Sequence, residues 1–141
     1  MLVREVMRPE VVTTKPEISV RDASKLMVDM RIGSLIVLDK EKILGIVTST
    51  DIVKAIASGK DPENTPIEDA MSKNVKTIEP DKTIEEAVDL MVENKIRKLL
   101  VVDGEKIVGM ITSSDIVIIE PKLLANIASL MTVQMSGYSG G

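Results

Sequence analysis

The chain holds 141 residues, 44% hydrophobic and 28% charged, with a net charge of −4, enough for one domain with a sizeable core. Cysteine and histidine are both absent, which excludes disulfides, thiolate chemistry, histidine relays and ordinary zinc sites. A single tyrosine is the only aromatic, so stacking cannot hold a base or a single strand, and the acidic balance argues against nucleic acid as a partner.

From the N-terminus, a short extended piece at Val11 to Thr13 is closed by Pro16. Ser19, with Asp22 three positions on, caps a helix whose apolar positions are Val20, Ala23, Leu26, Met27 and Met30. The β-rich run Leu35-Ile36-Val37-Leu38, a turn at Asp39-Lys40 and a strand from Ile43 to Val47 read as a hairpin buried on both faces or nearly so. The strand stops after Thr48, and a helix is expected to begin at or beyond Asp51. Residues 58–66 have linker composition and are short, so the two stretches of chain they join are expected to pack against each other.

The same reading then recurs. The pieces are an extended run at Val75 to Ile78, Pro80, a cap of Thr83 with Glu86, and a helix on Ile84, Ala87, Val88 and Met91. After them come a strand of Leu99-Leu100-Val101-Val102, a turn at Asp103-Gly104, a strand from Ile107 to Ile111, and Thr112 before Asp115. Aligning Asp51 with Asp115 superposes Met7 on Met71, Pro16 on Pro80, Ala23 on Ala87, Leu35 on Leu99 and Gly45 on Gly109 without a gap. Roughly four positions in ten are identical over about fifty residues. Two copies are too few for a solenoid, so a pseudo-twofold pair is expected. Pro121 opens a last helix with Leu123, Leu124, Ile127, Leu130 and Met131, read either as a lid on its own domain or, preferably, as a dimer surface. Gly45 and Gly109 inside strands are read as a bulge or close backbone packing, and Met27, Met30 and Met91 as core filler. No apolar run is long enough to span a bilayer and no signal-peptide layout is visible, so a cytoplasmic location is expected.

The doubled Gly-x-x-Thr-x-x-Asp motif, with Ile32-Gly33-Ser34-Leu35-Ile36-Val37-Leu38-Asp39 and Ile96-Arg97-Lys98-Leu99-Leu100-Val101-Val102-Asp103 before the hairpins, resembles the cystathionine-β-synthase (CBS) domain in tandem, the Bateman module. The resemblance runs from about Val3 to about Val117. It implies an α/β (α+β) fold of two CBS motifs, each a small three-stranded sheet packed with two helices, related by a pseudo-twofold axis. The motifs are assigned to 1–60 and 67–120, with a linker at 61–66 and a C-terminal helix and frayed tail at 121–141.

Thr48, Thr50 and Asp51, with Thr112, Ser114 and Asp115, have two readings. Hydroxyls and carboxylates at helix starts cap free N–H groups, contributing about 1 kcal/mol each. Alternatively, a carboxylate can accept both vicinal hydroxyls of a ribose, and the resemblance implies this role for the Asp, with the Thr on ribose or phosphate. It further implies that Asp51 shares a cleft with Lys95, Ile96, Arg97 and Lys98 of the other copy. Asp115 would share one with Thr13, Thr14, Ile32, Gly33 and Ser34, and Ile32 or Ile96, Val12 and Ile78 would wall the purine. The first grouping is the more cationic, so the Asp51 cleft is expected to prefer phosphorylated ligands and the Asp115 cleft to be less selective or empty, although such a run is also an ordinary solvated face.

The leading function is therefore a regulatory module that senses an adenosine-containing ligand (AMP, ADP, ATP or S-adenosylmethionine), pairs into a homodimer and signals to a client protein. The alternative is a structural dimerisation module with vestigial clefts. Catalysis is not expected, since the residues form no acid–base or nucleophilic constellation beyond the ribose-type Asp. No cofactor, metal, membrane or nucleic-acid partner is expected either.

Overall fold

The computed structural model describes residues 1–130. Among these, two compact units form, one from Val11–Val75 and the other from Met1–Glu10 together with the chain from Lys76 onward. Each copy's lead-in segment thus packs with the other copy's hairpin.

In the first unit, β1 (Thr13–Thr14) runs parallel to β2 (Ser34–Asp39), which pairs antiparallel with β3 (Lys42–Thr48). Helices α2 (Val20–Met30) and α3 (Ser49–Ala57) accompany the sheet. The second unit repeats this with β4 (Thr77–Ile78), β5 (Lys98–Asp103), β6 (Lys106–Thr112), α4 (Ile84–Asn94) and α5 (Ser113–Ile119), and adds α1 (Val3–Val6). The expected three-stranded sheets with two helices are present in both.

The predicted caps form. Ser19 accepts from the Asp22 N–H, and Thr83 and Glu86 make a reciprocal capping box. Helices α2 and α4 end on Arg31 and Lys95, each in the left-handed region with φ 55°. The turns differ from expectation by one residue. Asp39 pairs with Lys42 and Asp103 with Lys106, so the central residues are Lys40-Glu41 and Gly104-Glu105. Lys40 and Glu41 both take positive φ, as a type I′ turn demands, whereas in the second hairpin Gly104 carries the positive φ.

The core of the first unit joins Val20, Ala23 and Met27 of α2 to Leu35, Val37, Val47 and Ile52. Ile67, from the short 3-10 turn Ile67–Asp69, is fully buried among them, and its N–H donates to the Ile18 carbonyl at 2.7 Å. Val3 does the same in the second unit, buried with Ile84, Met91, Leu99 and Ile116, its N–H donating to the Lys82 carbonyl at 2.8 Å. Burying such a side chain contributes about 1.5–3 kcal/mol, which holds each lead-in segment in place.

The C-terminal stripe is a lid. Residues 124–130 are helical, and Ile127 and Leu130 are buried in the core that contains Val3 and Ile84. Leu124 is exposed, and Met131 lies outside the described residues. The preference for a dimer surface here is therefore corrected for the described residues: Leu123, Ile127 and Leu130 pack into the chain's own core, which leaves Leu124 as the exposed member.

Both strand glycines sit where a lead-in segment crosses the free edge of a hairpin and pairs with it. Met110 and Arg8 exchange backbone hydrogen bonds of 2.8 and 2.9 Å, and Ile46 and Ser72 do likewise. A Cβ on Gly109 would stand 2.8 Å from the Arg8 carbonyl oxygen, and one on Gly45 2.5 Å from that of Ser72. Close backbone packing, as expected, is what these glycines permit. Gly45→Ala and Gly109→Ala should each destabilise the fold by about 1–3 kcal/mol in urea melts, because a paired backbone oxygen cannot step aside. Gly104→Asn, with open space around it and a φ that Asn tolerates, should lose far less. Equal midpoints for all three would refute the crossing as the constraint.

Candidate functional site

Strand β3 delivers Thr48 to the start of α3, and β6 delivers Thr112 to the start of α5. The helices begin at Ser49 and Ser113, two residues before each Asp, so Asp51 and Asp115 occupy the third helical position. The expectation of a start at or beyond the Asp is corrected accordingly: the Thr is the cap and the Asp closes a capping box onto it. Thr48 N–H and Oγ1 donate to Asp51 Oδ2 at 2.9 and 3.0 Å, and the Asp51 N–H donates back to Thr48 Oγ1 at 3.3 Å. In the second copy Thr112 N–H donates to Asp115 Oδ2 at 3.3 Å, and Asp115 N–H to Thr112 Oγ1 at 3.2 Å.

The capping role is therefore realised in full. It fixes each carboxylate by one oxygen, Oδ2, and leaves Oδ1 outside the box. Thr50 and Ser114 stand beside the carboxylates on the exposed first turn.

Each unit places its own pre-hairpin segment against this helix start. Ser34 faces Thr48 across the ladder, and the Ser49 N–H donates to the Gly33 carbonyl at 3.3 Å. Lys98 faces Thr112, and the Ser113 N–H donates to the Arg97 carbonyl at 2.9 Å. Ile32 and Ile96 are half-buried beside them, Lys95 is the exposed C-cap of α4, and Thr13 and Thr14 lie on β1 opposite Ile36 and Val37. The groupings of Asp51 with residues 95–98, and of Asp115 with Thr13, Thr14, Ile32, Gly33 and Ser34, join residues of different units.

Lys98 is half-buried, and among the described residues neither it nor Arg97 has a carboxylate within ion-pairing distance. Burial, reinforced by the neighbouring Arg97 charge, pushes the Lys98 ammonium below the ordinary lysine value. An anion close by would relieve that strain on the charged form.

One residue escaped the sequence reading. Arg8 reaches Asp115 Oδ1 through Nε at 3.0 Å and Nη2 at 2.9 Å. The sign was available in the repeat, because the position aligned with Arg8 is Ser72. A groove of about 550 Å³ in the second unit, lined by Glu79, Asp81, Lys82, Glu86 and Asp103 among others, includes Ile78, one of the expected purine walls, but neither Asp115 nor the pre-hairpin residues.

With this geometry, comparison with known proteins defines the class. The CBS domain family matches at residues 3–58 and again at 67–120, and the chain belongs to that family as a tandem pair. An uncharacterized protein, MK0525, of Methanopyrus kandleri is 38% identical over 132 residues, which cover 92% of this chain and 67% of that protein. The CBS domain pair of protein MJ0100, solved in complex with 5′-methylthioadenosine and S-adenosyl-L-methionine, is similar with a TM-score of 0.77 and 32% identity over 84% of this chain and 94% of that one. A hexameric CBS-CP12 protein from bloom-forming cyanobacteria reaches a TM-score of 0.77 at 35% identity, over 83% of this chain and 66% of that one. No helix among the described residues is long and apolar enough to cross a membrane.

Proposed function

We propose that the chain is a regulatory sensor of an adenosine-containing ligand rather than an enzyme. Asp51 and Asp115 would take the ribose hydroxyls, with Thr48, Thr50, Thr112 and Ser114 beside them. The pre-hairpin residues Ile32, Gly33, Ser34, Lys95, Ile96, Arg97 and Lys98, with Thr13 and Thr14, would complete the contacts. The observation that carries this reading is the doubled box. It holds each carboxylate rigidly by Oδ2 while Oδ1 remains outside the cap, which is the preorganisation that charge-assisted bonds to a diol need. The adenosyl ligands of the MJ0100 pair support the ligand class.

AMP, ADP, ATP and S-adenosylmethionine all fit that chemistry, and a module that reads them would work in the cytoplasm, where such ligands are made and consumed. Its output would be a population shift passed to a client protein, limited by the ligand's differential affinity for the two states.

Affinity in the micromolar range, about −7 to −9 kcal/mol, is expected. Ligand at a hundred times Kd should then stabilise the fold by about 2.7 kcal/mol. Asp51→Asn keeps an acceptor for the cap but removes the charge, so it should fold normally and lose most of the ligand-induced rise in Tm contributed by its site. The double variant Asp51→Asn/Asp115→Asn should lose the rise altogether. A wild-type rise in the double variant would show that neither carboxylate binds ligand.

Assembly is part of the same reading. The helices expose apolar side chains, Val28, Val53 and Ile56 in one unit and Ile118 and Ile119 in the other, and the hexameric relative supports self-association. We expect a homodimer through these faces. Val53→Lys with Ile118→Lys should convert it to a monomer by light scattering, whereas a monomeric wild-type protein across a wide concentration range would refute it.

A further inference from the structure

We infer that Arg8 is a specificity-determining residue that makes the two carboxylates unequal, closing Asp115 to neutral nucleosides while Asp51 stays open to them. The inference rests on the proposed adenosyl reading and goes beyond it. The two helix starts are built alike down to the crossing segment: Arg8 is bridged to Met110 beside Gly109, and Ser72 to Ile46 beside Gly45. The side chains at that position differ in reach. The Arg8 guanidinium spans to Asp115 Oδ1 with two N–H groups, at 2.9 and 3.0 Å, while a serine hydroxyl at the equivalent place is several bonds shorter. Asp115 consequently has both oxygens engaged, Oδ2 by the Thr112 N–H and Oδ1 by Arg8, and its side chain is 9% exposed. Asp51 is half-buried, and its box uses Oδ2 alone.

A vicinal diol approaching Asp115 must compete with an intramolecular, charge-assisted contact and has nothing to offer the guanidinium it displaces. A phosphorylated ligand does have something to offer. Its oxygens can take over the Arg8 N–H groups as the diol takes Oδ1, and Arg8 is anchored at its backbone but 73% exposed along its side chain, so it is free to swing to the new acceptor. Asp115 is thus a phosphate-gated position and Asp51 an ungated one, the reverse of the preference expected from the cationic run alone.

The experiment is calorimetry of adenosine and of AMP on the full chain, on Arg8→Ser, which copies the first repeat, and on Ser72→Arg, which copies the second. The wild-type chain should bind one adenosine, lost in Asp51→Asn, and two AMP. Arg8→Ser should bind two adenosines, with AMP at the second position weakened at least about tenfold, the effect of one or two charge-assisted bonds. Ser72→Arg should lose adenosine binding and keep AMP. If adenosine stoichiometry ignores both substitutions, or if the wild-type chain already binds adenosine equally at both carboxylates, the inference is overturned and the adenosyl reading stands. If no protein in the set binds either compound, the adenosyl reading falls and takes the inference with it.

Discussion

A backbone that crosses the free edge of a hairpin closely enough to hydrogen-bond with it leaves no room for a side chain at the neighbouring strand residue, and this constraint organises both halves of the molecule. At Gly109 and Gly45 the lead-in segments descend onto β6 and β3, with carbonyl oxygens 2.8 and 2.5 Å from where a Cβ would be. The crossing fixes Arg8 opposite Met110 and Ser72 opposite Ile46, and the buried side chains of Val3 and Ile67 lock the same segments on the far side. It also explains how the units are cut. A segment paired to the edge of the other copy's hairpin belongs, in packing terms, to that copy, so residues 1–10 fold with the second hairpin and residues up to 75 with the first.

From the crossing the strand has three residues left before it becomes a helix, and the chemistry lies there. Thr48 and Thr112 end the strands in extended backbone, and the carboxylates at the third helical position fold back on them. Capping and the proposed ligand binding are not rival roles for these residues. The cap uses Oδ2 and holds the group still, and a group held still by one oxygen is better prepared to bind with the other. The CBS family membership and the adenosyl complexes of the MJ0100 pair point the same way. Within this shared plan the difference between Arg8 and Ser72 is the one we infer to decide what each carboxylate can meet.

Much of this was legible in the sequence, for local reasons. Ser19 with Asp22 and Thr83 with Glu86 are contiguous signals whose hydrogen bonds form between near neighbours, and the alternation of helix period with β-rich runs placed all four long strands. The gapless repeat gave the architecture, and the glycines were read correctly as points of close packing. What escaped depends on distant partners. The turn centres moved by one residue because ladder pairing of Asp39 with Lys42, not the Asp-Gly composition, sets the loop. The fate of Ile127 and Leu130 depended on a vacancy in a core built from both ends of the chain. The Arg8–Asp115 pair spans 107 positions and appears in one copy only. A mismatch in an otherwise faithful repeat was its one visible trace.

The central claim is that adenosyl ligands bind at the Thr–Asp helix starts, those without a phosphate at Asp51. Amide chemical shifts of the isotopically labelled full chain, followed during titration with S-adenosylmethionine, test it most directly, because the cap amides report any ligand that engages the carboxylates. The account predicts saturable shifts that are largest at residues 48–51 and in the preceding residues 32–34. Saturation with those amides unmoved, or with the largest shifts in the acidic groove at residues 79–82, would contradict it.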